Sequence, residues 1–377
     1  MAAYTTIDDP SAHFHTQLYT GNGSNPRNIT NDGNSNLKPD FIWIKNRTDN
    51  STDNITCNSS LGFDAPKGEG YPWENGPFGG QLATNSNGGI SVPQATYGYV
   101  SAHLTDGFTV AAGGTNGDSC NANNKDYVAW QWKANGGTTT NLTGGNINSV
   151  VQANQTAGFS IVMYDGNDAT GQSVNHGLGT TPQVVWVKRW NGTGDWFVYH
   201  ETLGNTKHMH LNNQNAQATT SDFGNYGPNA QSFYTNNTGT CINGESYVAY
   251  CFADVQGFSK FGSYIANGQA DGPFVYTGFK PGFVILRNAT NSGYLWWILD
   301  SKRNPFNVTD TIMYTDYTDG DFDGSAHASN MGIDFLSNGF KITTNHTAVN
   351  NTGSINLYMA FAENPFVSST GIPATAR

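Results

Sequence analysis

The chain has 377 residues, enough for two or three domains, and its 17 basic and 28 acidic residues give a net charge of −11. Because a nucleic-acid-binding protein needs a cationic surface, we expect no direct binding to DNA or RNA, and binding to an anionic membrane surface is equally disfavoured. Only 12% of residues are charged, whereas 45 are glycine and 13% are aromatic, which is typical of short strands joined by Gly/Asn turns.

The first ten residues have no basic region and no apolar stretch. We therefore expect an N-terminal arm at 1–15 and not a secretory signal peptide. No window of the sequence approaches the roughly 20 apolar residues of a transmembrane helix, so we expect no membrane insertion. A surface-type composition without a signal favours release by another route, such as cell lysis.

Three segments open with a short strand that runs into a Gly/Asn turn, starting at Phe14, Phe159 and Phe258. Each continues with a proline and an apolar strand that ends in a basic residue. The proline fixes the strand entrance, and the apolar run predicts a central strand that is covered on both faces. We expect the basic end of each strand to emerge into solvent. The strands run from Pro39 to Arg47, from Pro182 to Arg189 and from Pro281 to Arg287, with Lys45 and Lys188 among the basic residues at the ends of the first two.

An aromatic-rich strand follows in the second and third copies, at 196–200 and 295–300. The first copy lacks a clear match and carries a Gly/Asn-rich loop at 58–98. Each copy is then predicted to close with a hairpin whose second arm shows the pattern Tyr, Val or Met, Ala, aromatic. The arms are 106–110 with 127–132, 232–235 with 247–252, and 338–342 with 358–362.

The repeated order predicts an all-β fold of three tandem antiparallel β-sandwich, jelly-roll-like modules. The predicted boundaries are the arm at 1–15, module 1 at 16–134, a Gly/Asn/Thr-rich linker at 135–156, module 2 at 157–256 and module 3 at 257–377. Modules 2 and 3 abut directly and are expected to share an interface. Module 1 is expected to stand apart from them, at the far end of the linker.

The four cysteines, Cys57, Cys120, Cys241 and Cys251, show no CxxC spacing, which argues against a zinc site or a redox motif. They allow two disulfides in three possible pairings. Buried free thiols are the favoured interpretation, since Cys251 lies inside an apolar run.

Acidic residues at alternate positions before a glycine, Asp319, Asp321 and Asp323, are similar to the start of a calcium-binding loop. Asn330 stands where that loop would carry a glutamate, and the alternative is an acidic surface turn. No other cofactor is predicted. Two His-x-His pairs, at 13–15 and 208–210, would place both rings on one side of a strand and could bind a metal; the alternative is a pair of hydrogen-bonding histidines.

Four aromatic residues could form a sugar-stacking surface or a subunit interface: Trp190, Tyr294, Trp296 and Trp297. Because Trp296 and Trp297 are consecutive on a strand, at least one of them should lie in the core. No Gly-x-Ser-x-Gly, HExxH or phosphate loop occurs, and the acids near His200 are interpreted as turn residues. We therefore expect no enzymatic activity.

The chain resembles a family of domains of unknown function found in tail-fibre-like and virion-surface proteins of marine bacteriophages. The resemblance covers nearly the whole sequence. It is carried by the segments 4–14, 156–164, 176–182, 247–253, 257–264, 271–281, 334–340 and 360–366.

The resemblance implies a bacteriophage virion structural protein, assembled in the host cytoplasm and released by lysis. The expected role is a surface appendage, a tail fibre, spike or head fibre, that presents β-sandwich modules for host or particle attachment. Expected partners are further copies of the chain in a homotrimer, other virion proteins and a host surface glycan. Two alternatives stay open: a capsid decoration protein bound through the arm at 1–15, and a glycan-degrading tail enzyme.

Overall fold

A computed structural model describes residues 4–61, 80–90, 97–114 and 119–375. Within these ranges the chain is almost entirely antiparallel β-structure, which confirms the all-β prediction. Its helices are one short α-helix, α1 (Thr347–Asn350), and the 3-10 helices Pro10–Ala12, Glu201–Leu203 and Gly324–Ala326. Over the described ranges, no helix is long and apolar enough to cross a membrane.

The first third of the chain forms one large and one small sheet. The strands are β1 (Phe14–Thr20), β2 (Arg27–Ile29), β3 (Phe41–Asn46), β4 (Ile55–Asn58), β5 (Leu82–Ala83), β6 (Tyr99–His103), β7 (Phe108–Ala111) and β8 (Asp126–Trp132). The large sheet has the strand order β1-β8-β3-β4-β5, and the small sheet has the order β2-β7-β6.

The middle third again forms a large and a small sheet. The strands are β9 (Thr140–Leu142), β10 (Ser149–Asn154), β11 (Phe159–Asp165), β12 (Gln172–Asn175), β13 (Val184–Arg189), β14 (Trp196–His200), β15 (Lys207–His210), β16 (Ala218–Thr219), β17 (Ser232–Thr235) and β18 (Ser246–Phe252). The large sheet has the order β16-β15-β14-β13-β18-β11-β10-β9, and β12 pairs with β17.

The last third repeats this plan. The strands are β19 (Ser259–Ile265), β20 (Phe274–Tyr276), β21 (Phe279–Asn288), β22 (Trp297–Asp300), β23 (Thr311–Tyr314), β24 (Phe322–Asp323), β25 (Ile333–Leu336), β26 (Gly339–Ile342) and β27 (Ile355–Pro365). The large sheet has the order β19-β27-β21-β22-β23-β24, and the small sheet has the order β20-β26-β25.

One strand order therefore occurs in all three large sheets: β1-β8-β3-β4-β5, β11-β18-β13-β14-β15 and β19-β27-β21-β22-β23. The strands that follow the three prolines, β3, β13 and β21, are paired on both edges and almost wholly buried, as their apolar runs predict.

The large sheets face one another across a shared aromatic core. Trp132, Phe252 and Phe361 hold the same place in their sheets, each opposite the residue two positions after the strand-leading proline. Their ring centroids lie 6.5 Å apart for Trp132 and Phe252, 5.7 Å for Trp132 and Phe361, and 6.2 Å for Phe252 and Phe361. This triangle marks a pseudo-threefold axis around which the three large sheets pack.

Each large sheet packs its other face against its own small sheet. Phe108 lies in the outer core of the first pair of sheets, Phe233 in the second and Phe340 in the third, and all three side chains are fully buried. Each third of the chain is thus a two-layer sandwich whose large sheet also contributes to the central core. Apolar residues on both faces of β3, β13 and β21 follow from this double burial.

The closing hairpins predicted for each copy are wrong. In the described residues β7, β17 and β26 pair within small sheets, whereas β8, β18 and β27 lie inside large sheets. The two arms therefore belong to opposite layers of a sandwich, and the polar loop between them crosses from one layer to the other. Strand composition is the same in both arrangements, so the pattern could not distinguish them.

The predicted linker at 135–156 needs a similar correction, because it contains β9 and β10 and extends the second large sheet to eight strands. The first large sheet is not set apart from the other two, since its Trp132 packs against Phe252 and Phe361. A segment rich in Gly, Asn and Thr is compatible with short edge strands as well as with a linker. Composition alone favoured the linker, whereas the segment forms β9 and β10.

The predicted arm packs onto the last third of the chain, and β1 begins within it at Phe14. Ile7 is 3% exposed in the central core. The Thr5 hydroxyl donates to the carbonyl of Gln256 at 2.9 Å, and the Tyr4 hydroxyl donates to that of Gly278 at 2.8 Å. The described N-terminal residues therefore join the start of the fold to its last third, and the three sheets, each in contact with both others in the central core, form a closed ring.

The third sheet differs by two residues from the alignment that the sequence pattern predicts. Tyr127 pairs with the residue after Lys45, and Tyr247 pairs with the residue after Lys188. In the third sheet the residue after Arg287 pairs with Asn356 and not with Tyr358. A shift of two residues returns every side chain to the same face of a strand. The alternating pattern is therefore preserved, and the shift is invisible in the sequence.

Candidate functional site

The innermost basic residue at the end of each proline-led strand is buried, contrary to the prediction that the basic ends reach solvent. Lys45, Lys188 and Arg287 are all 0% exposed, and Arg47 and Arg189 are half-buried. Burial lowers the pKa of both lysines to about 7 and that of the arginine to about 10. A basic group is retained at the same place in each sheet because each one finds oxygen acceptors there.

Each of these cations donates to a backbone carbonyl in a loop that follows the fifth strand of a neighbouring sheet. The contacts run in one direction around the axis: from the first sheet to the third, from the third to the second and from the second to the first. They are Lys45 Nζ to Tyr317 O at 2.8 Å, Arg287 Nη2 to Asn215 O at 2.7 Å and Lys188 Nζ to Asn87 O at 3.0 Å. We call this set the cation ring.

A second ring of hydrogen bonds lies one strand further out, at the residue just before β4 and β22 and at the first residue of β14. In the second and third sheets this residue is Trp196 or Trp296, and in the first it is Asn54. Each donates a side-chain N–H to the last strand carbonyl of the neighbouring β5, β15 or β23. The bonds are Trp196 Nε1 to Ala83 O at 2.9 Å, Trp296 Nε1 to His210 O at 2.9 Å and Asn54 Nδ2 to Tyr314 O at 3.1 Å.

This second ring, which we call the indole ring, corrects the expectation that the first copy lacks the aromatic strand. Its counterpart is β4, Ile55–Asn58, which occupies the same place beside the proline-led strand. Because Asn54 replaces the tryptophan, the strand has no aromatic signature. An amide supplies the same N–H donor, so the contact survives without the ring.

A buried ionic network joins the first and third sheets. The Arg303 side chain, which is 0% exposed, donates to Asp300 at 2.6 Å and to Asp321 at 3.0 Å, and its guanidinium lies 5.7 Å from the centroid of the Trp130 ring. Burial alone would lower the pKa of Arg303, but the two carboxylates more than offset it and raise that pKa. Arg47 of the first sheet donates to Asp321 at 2.8 Å.

The predicted calcium ligands are not brought together as a metal site. The Asp321 carboxylate is held by two arginines. Asp323 accepts from the backbone and hydroxyl of Ser325, at 2.9 and 2.6 Å, and caps a 3-10 helix, while Asp319 is half-buried. Over the described ranges no group of three or more His, Cys, Asp or Glu side chains could hold a metal ion. The geometry therefore favours the acidic-turn interpretation.

The predicted aromatic surface is not exposed. Trp190, Trp296 and Trp297 are 5%, 2% and 1% exposed, and Tyr294 is half-buried. Trp296 belongs to the indole ring, and Trp297 lies in the outer core of the last third. Because a sugar stacks only on an exposed ring face, the three tryptophans do not form a glycan platform. Trp296 does form an interface, but between two sheets of one chain.

The histidine pairs are engaged by side chains of the chain itself, through hydrogen bonds or ion-pair distances. His15 lies 2.9 Å from the carboxylate of Asp32, and His208 lies 2.8 Å from that of Asp222. The rings of His208 and His210 are 4.6 Å apart. Burial lowers the pKa of His200 to about 4, so that this side chain is neutral at pH 7 and caps a short helix through Nδ1.

All four cysteines are buried free thiols, and burial raises the pKa of Cys57 and Cys251 well above the ordinary range.

The hydrogen bonds of the cation ring and the indole ring were missed by sequence reasoning. A signal was present for the cation ring, since one basic residue ends the proline-led strand in every copy. For the indole ring no signal was present in the first copy, where an asparagine holds the position.

A comparison with family models finds a domain of unknown function, DUF7483, over residues 9–64 and 78–365. The matched stretches include strands of all three large sheets, so the family unit corresponds to the whole ring and not to one copy. No curated protein and no solved structure matches the chain. The chain belongs to the DUF7483 family of domains of unknown function.

Proposed function

We propose that the chain is a structural protein of the bacteriophage particle surface, an appendage that presents its loops for attachment to the host or to the particle. The observation that carries this proposal is the closed ring itself. Three sheets share one aromatic core, and the cation ring and the indole ring both connect each sheet to a neighbour. Such a body holds its surface loops rigidly, which suits presentation.

The buried polar chemistry supports the same proposal. Lys45, Lys188, Arg287 and Arg303 are the most deeply buried cations of the described residues, and each is engaged in a contact that joins or braces the sheets. Because an unpaired buried charge is costly, these contacts fix the relative placement of the sheets. These buried cations therefore stabilise the arrangement of the sheets, as expected of a structural protein.

The position of the N-terminal residues favours an appendage over a capsid decoration protein that binds through its arm. Tyr4, Thr5 and Ile7 are engaged with the last third of the chain, so they are not free to reach a shell. A host-binding appendage is expected to expose two variable loops, at 58–98 and 212–229, and the second of these carries the exposed ring of Tyr226. Residues 62–79 and 91–96 of the loop at 58–98 lie outside the described part.

A homotrimer stays a prediction. Three equivalent sets of strands around one axis already give a single chain the geometry that a trimer of one-module chains would have. Threefold presentation therefore does not require three chains, and the proposal holds for either assembly. Other virion proteins and a host surface glycan remain the proposed partners, and the virion remains the proposed location.

Immunogold labelling of intact particles tests the proposal directly. Antibody raised against the folded chain is applied to particles purified from lysed host cells, with pre-immune serum as the control. Label clustered on the tail or on sparse head fibres is the expected result. Uniform label over the head would overturn the appendage assignment in favour of a decoration protein, and unlabelled particles would refute the virion assignment altogether.

A further inference from the structure

A polar groove of about 630 Å³ lies where the predicted linker meets the first large sheet. One wall is formed by His13 and Lys133, which flank β1 and β8, and the other by β9, β10 and the residues after them. This volume is within the range of small-ligand sites in proteins.

The repeated fold does not account for this groove. In the first and third large sheets the edge strands are β1 and β19, whereas the equivalent β11 is covered by β10 and then β9. The strands that line the groove therefore have no counterpart in the other two sheets. A feature present in one of three otherwise equivalent positions is not needed to close the ring, and this distinguishes the groove from the cation and indole rings.

The wall at His13 is fixed by hydrogen bonds. The Asn154 amide nitrogen donates to His13 Nδ1 at 3.2 Å and to Lys133 O at 3.1 Å, while its oxygen accepts from Ala157 N at 3.0 Å. Reversing the amide would lose the donor contacts, so its orientation is well defined. Because Nδ1 accepts, the neutral ring carries its proton on Nε2 and presents an N–H donor.

The groove also holds a cation with no partner of its own. Across the described residues, no ion pair or hydrogen bond engages the Lys133 ammonium group, although the chain carries a net charge of −11. The nearby Asp9 carboxylate is occupied, since it accepts from Ser11 and from the Ser35 hydroxyl at 2.6 Å. Two donors, an ammonium group and an imidazole N–H, thus line one wall and favour an anionic group.

The opposite wall suits a sugar. Thr140, Gln155 and Thr156 offer hydroxyl and amide groups, which are the usual partners of sugar hydroxyls, and Leu142 and Val151 provide an apolar surface for the C–H face of a ring. Gln155 donates to Gly177 O at 2.9 Å, which leaves its carbonyl oxygen as an acceptor. A short acidic peptide would also satisfy the cationic wall, but it lacks the array of ring hydroxyls and the C–H face that this wall suits.

We propose that this groove binds a short acidic saccharide, with its carboxylate held by Lys133 and His13 and its hydroxyls by the wall of Thr140, Gln155 and Thr156. The inference rests on the proposed role in attachment to a host surface and specifies the ligand class as a uronic-acid-containing oligosaccharide.

Isothermal titration calorimetry on the full chain tests this inference with trigalacturonate as the probe, at low salt. Maltotriose serves as the neutral saccharide and triglutamate as the acidic peptide. Lys133→Gln removes the partnerless cation, and Lys207→Gln, a half-buried lysine on β15 outside the groove, is the matched control. Thr140→Trp, on the exposed edge strand β9, blocks the groove without touching the core.

We expect trigalacturonate to bind, maltotriose and triglutamate to bind at least about tenfold more weakly, and added salt to weaken binding. Lys133→Gln should weaken trigalacturonate binding roughly tenfold and Thr140→Trp should abolish it, with Lys207→Gln unchanged. The inference is overturned if trigalacturonate does not bind, if triglutamate binds equally well, or if both groove variants bind like the wild type. A failure here leaves the particle-labelling result untouched, so the two proposals fail separately.

Discussion

Replacing Phe361 by alanine should destabilise the whole ring and not one sandwich. Its side chain is 2% exposed at the pseudo-threefold axis. Its ring contacts rings from all three sheets, including Phe14 at 5.0 Å, Trp132 at 5.7 Å and Phe252 at 6.2 Å between centroids. A buried Phe→Ala change costs about 3–5 kcal/mol. Because three separately braced sheets line the resulting cavity and cannot all collapse into it, we expect the upper end, about 5 kcal/mol.

The assay is urea unfolding at equilibrium, followed by tryptophan fluorescence and by far-ultraviolet circular dichroism. Both signals should shift to lower urea together, as a single transition, since each of the three large sheets contributes buried tryptophans. Phe306→Ala is the matched control: this side chain is 77% exposed, and its loss should change the free energy of unfolding by less than about 0.5 kcal/mol. The shared core would be refuted by a loss below about 1 kcal/mol, or by early unfolding of one third of the signal with the rest unchanged.

Three further changes test the polar contacts. Trp196→Phe should cost about 1 kcal/mol more than Trp43→Phe in urea unfolding, because both lose indole volume but only Trp196 loses a hydrogen bond to a neighbouring sheet. Asp321→Asn should lower the free energy of unfolding by about 2 kcal/mol because it leaves a buried arginine short of a partner, whereas Asp323→Asn should change it by less than about 0.5 kcal/mol; equal effects would contradict the network. Burial holds the pKa of Lys188 at about 7, below its ordinary 10.5, so the unfolded chain binds the extra proton between these values. Lys188 should therefore make the free energy of unfolding rise with pH between about 7 and 10.5, and Lys188→Met should reduce the rise in that range; a pH profile that the substitution leaves unchanged between these values would contradict the assignment.

The strands themselves could be predicted from the sequence, because each proline-led apolar run is long and bounded by clear turn residues. The turns could also be predicted from their glycines. At Gly166, for example, a Cβ would lie 2.1 Å from the carbonyl oxygen of Ile242, so only glycine fits. The pairing of β8, β18 and β27 with strands distant in sequence could not be predicted, because a central strand has the same residue pattern in a hairpin and in a sandwich.

The arrangement of the sheets was not predictable for a related reason. The sequence pattern around Trp132, Phe252 and Phe361 predicts core residues. It does not distinguish the core of one sandwich from a core shared by three. The same limit led to the solvent-exposed prediction for Lys45 and Lys188, since a basic residue at a strand end is ordinarily exposed. Both are buried because a neighbouring sheet covers them, and that neighbour is known only once the fold is.

Small-angle X-ray scattering on the monomeric chain tests the closed ring most directly. A compact body of this length has a radius of gyration of about 21 Å, whereas three separate modules of about 13 Å each, set in a row, would give about 30 Å. The closed ring predicts the smaller value and a pair-distance distribution with a single maximum. A radius near 30 Å with a shoulder at the module spacing would show that the three sandwiches stand apart, and would contradict the shared core.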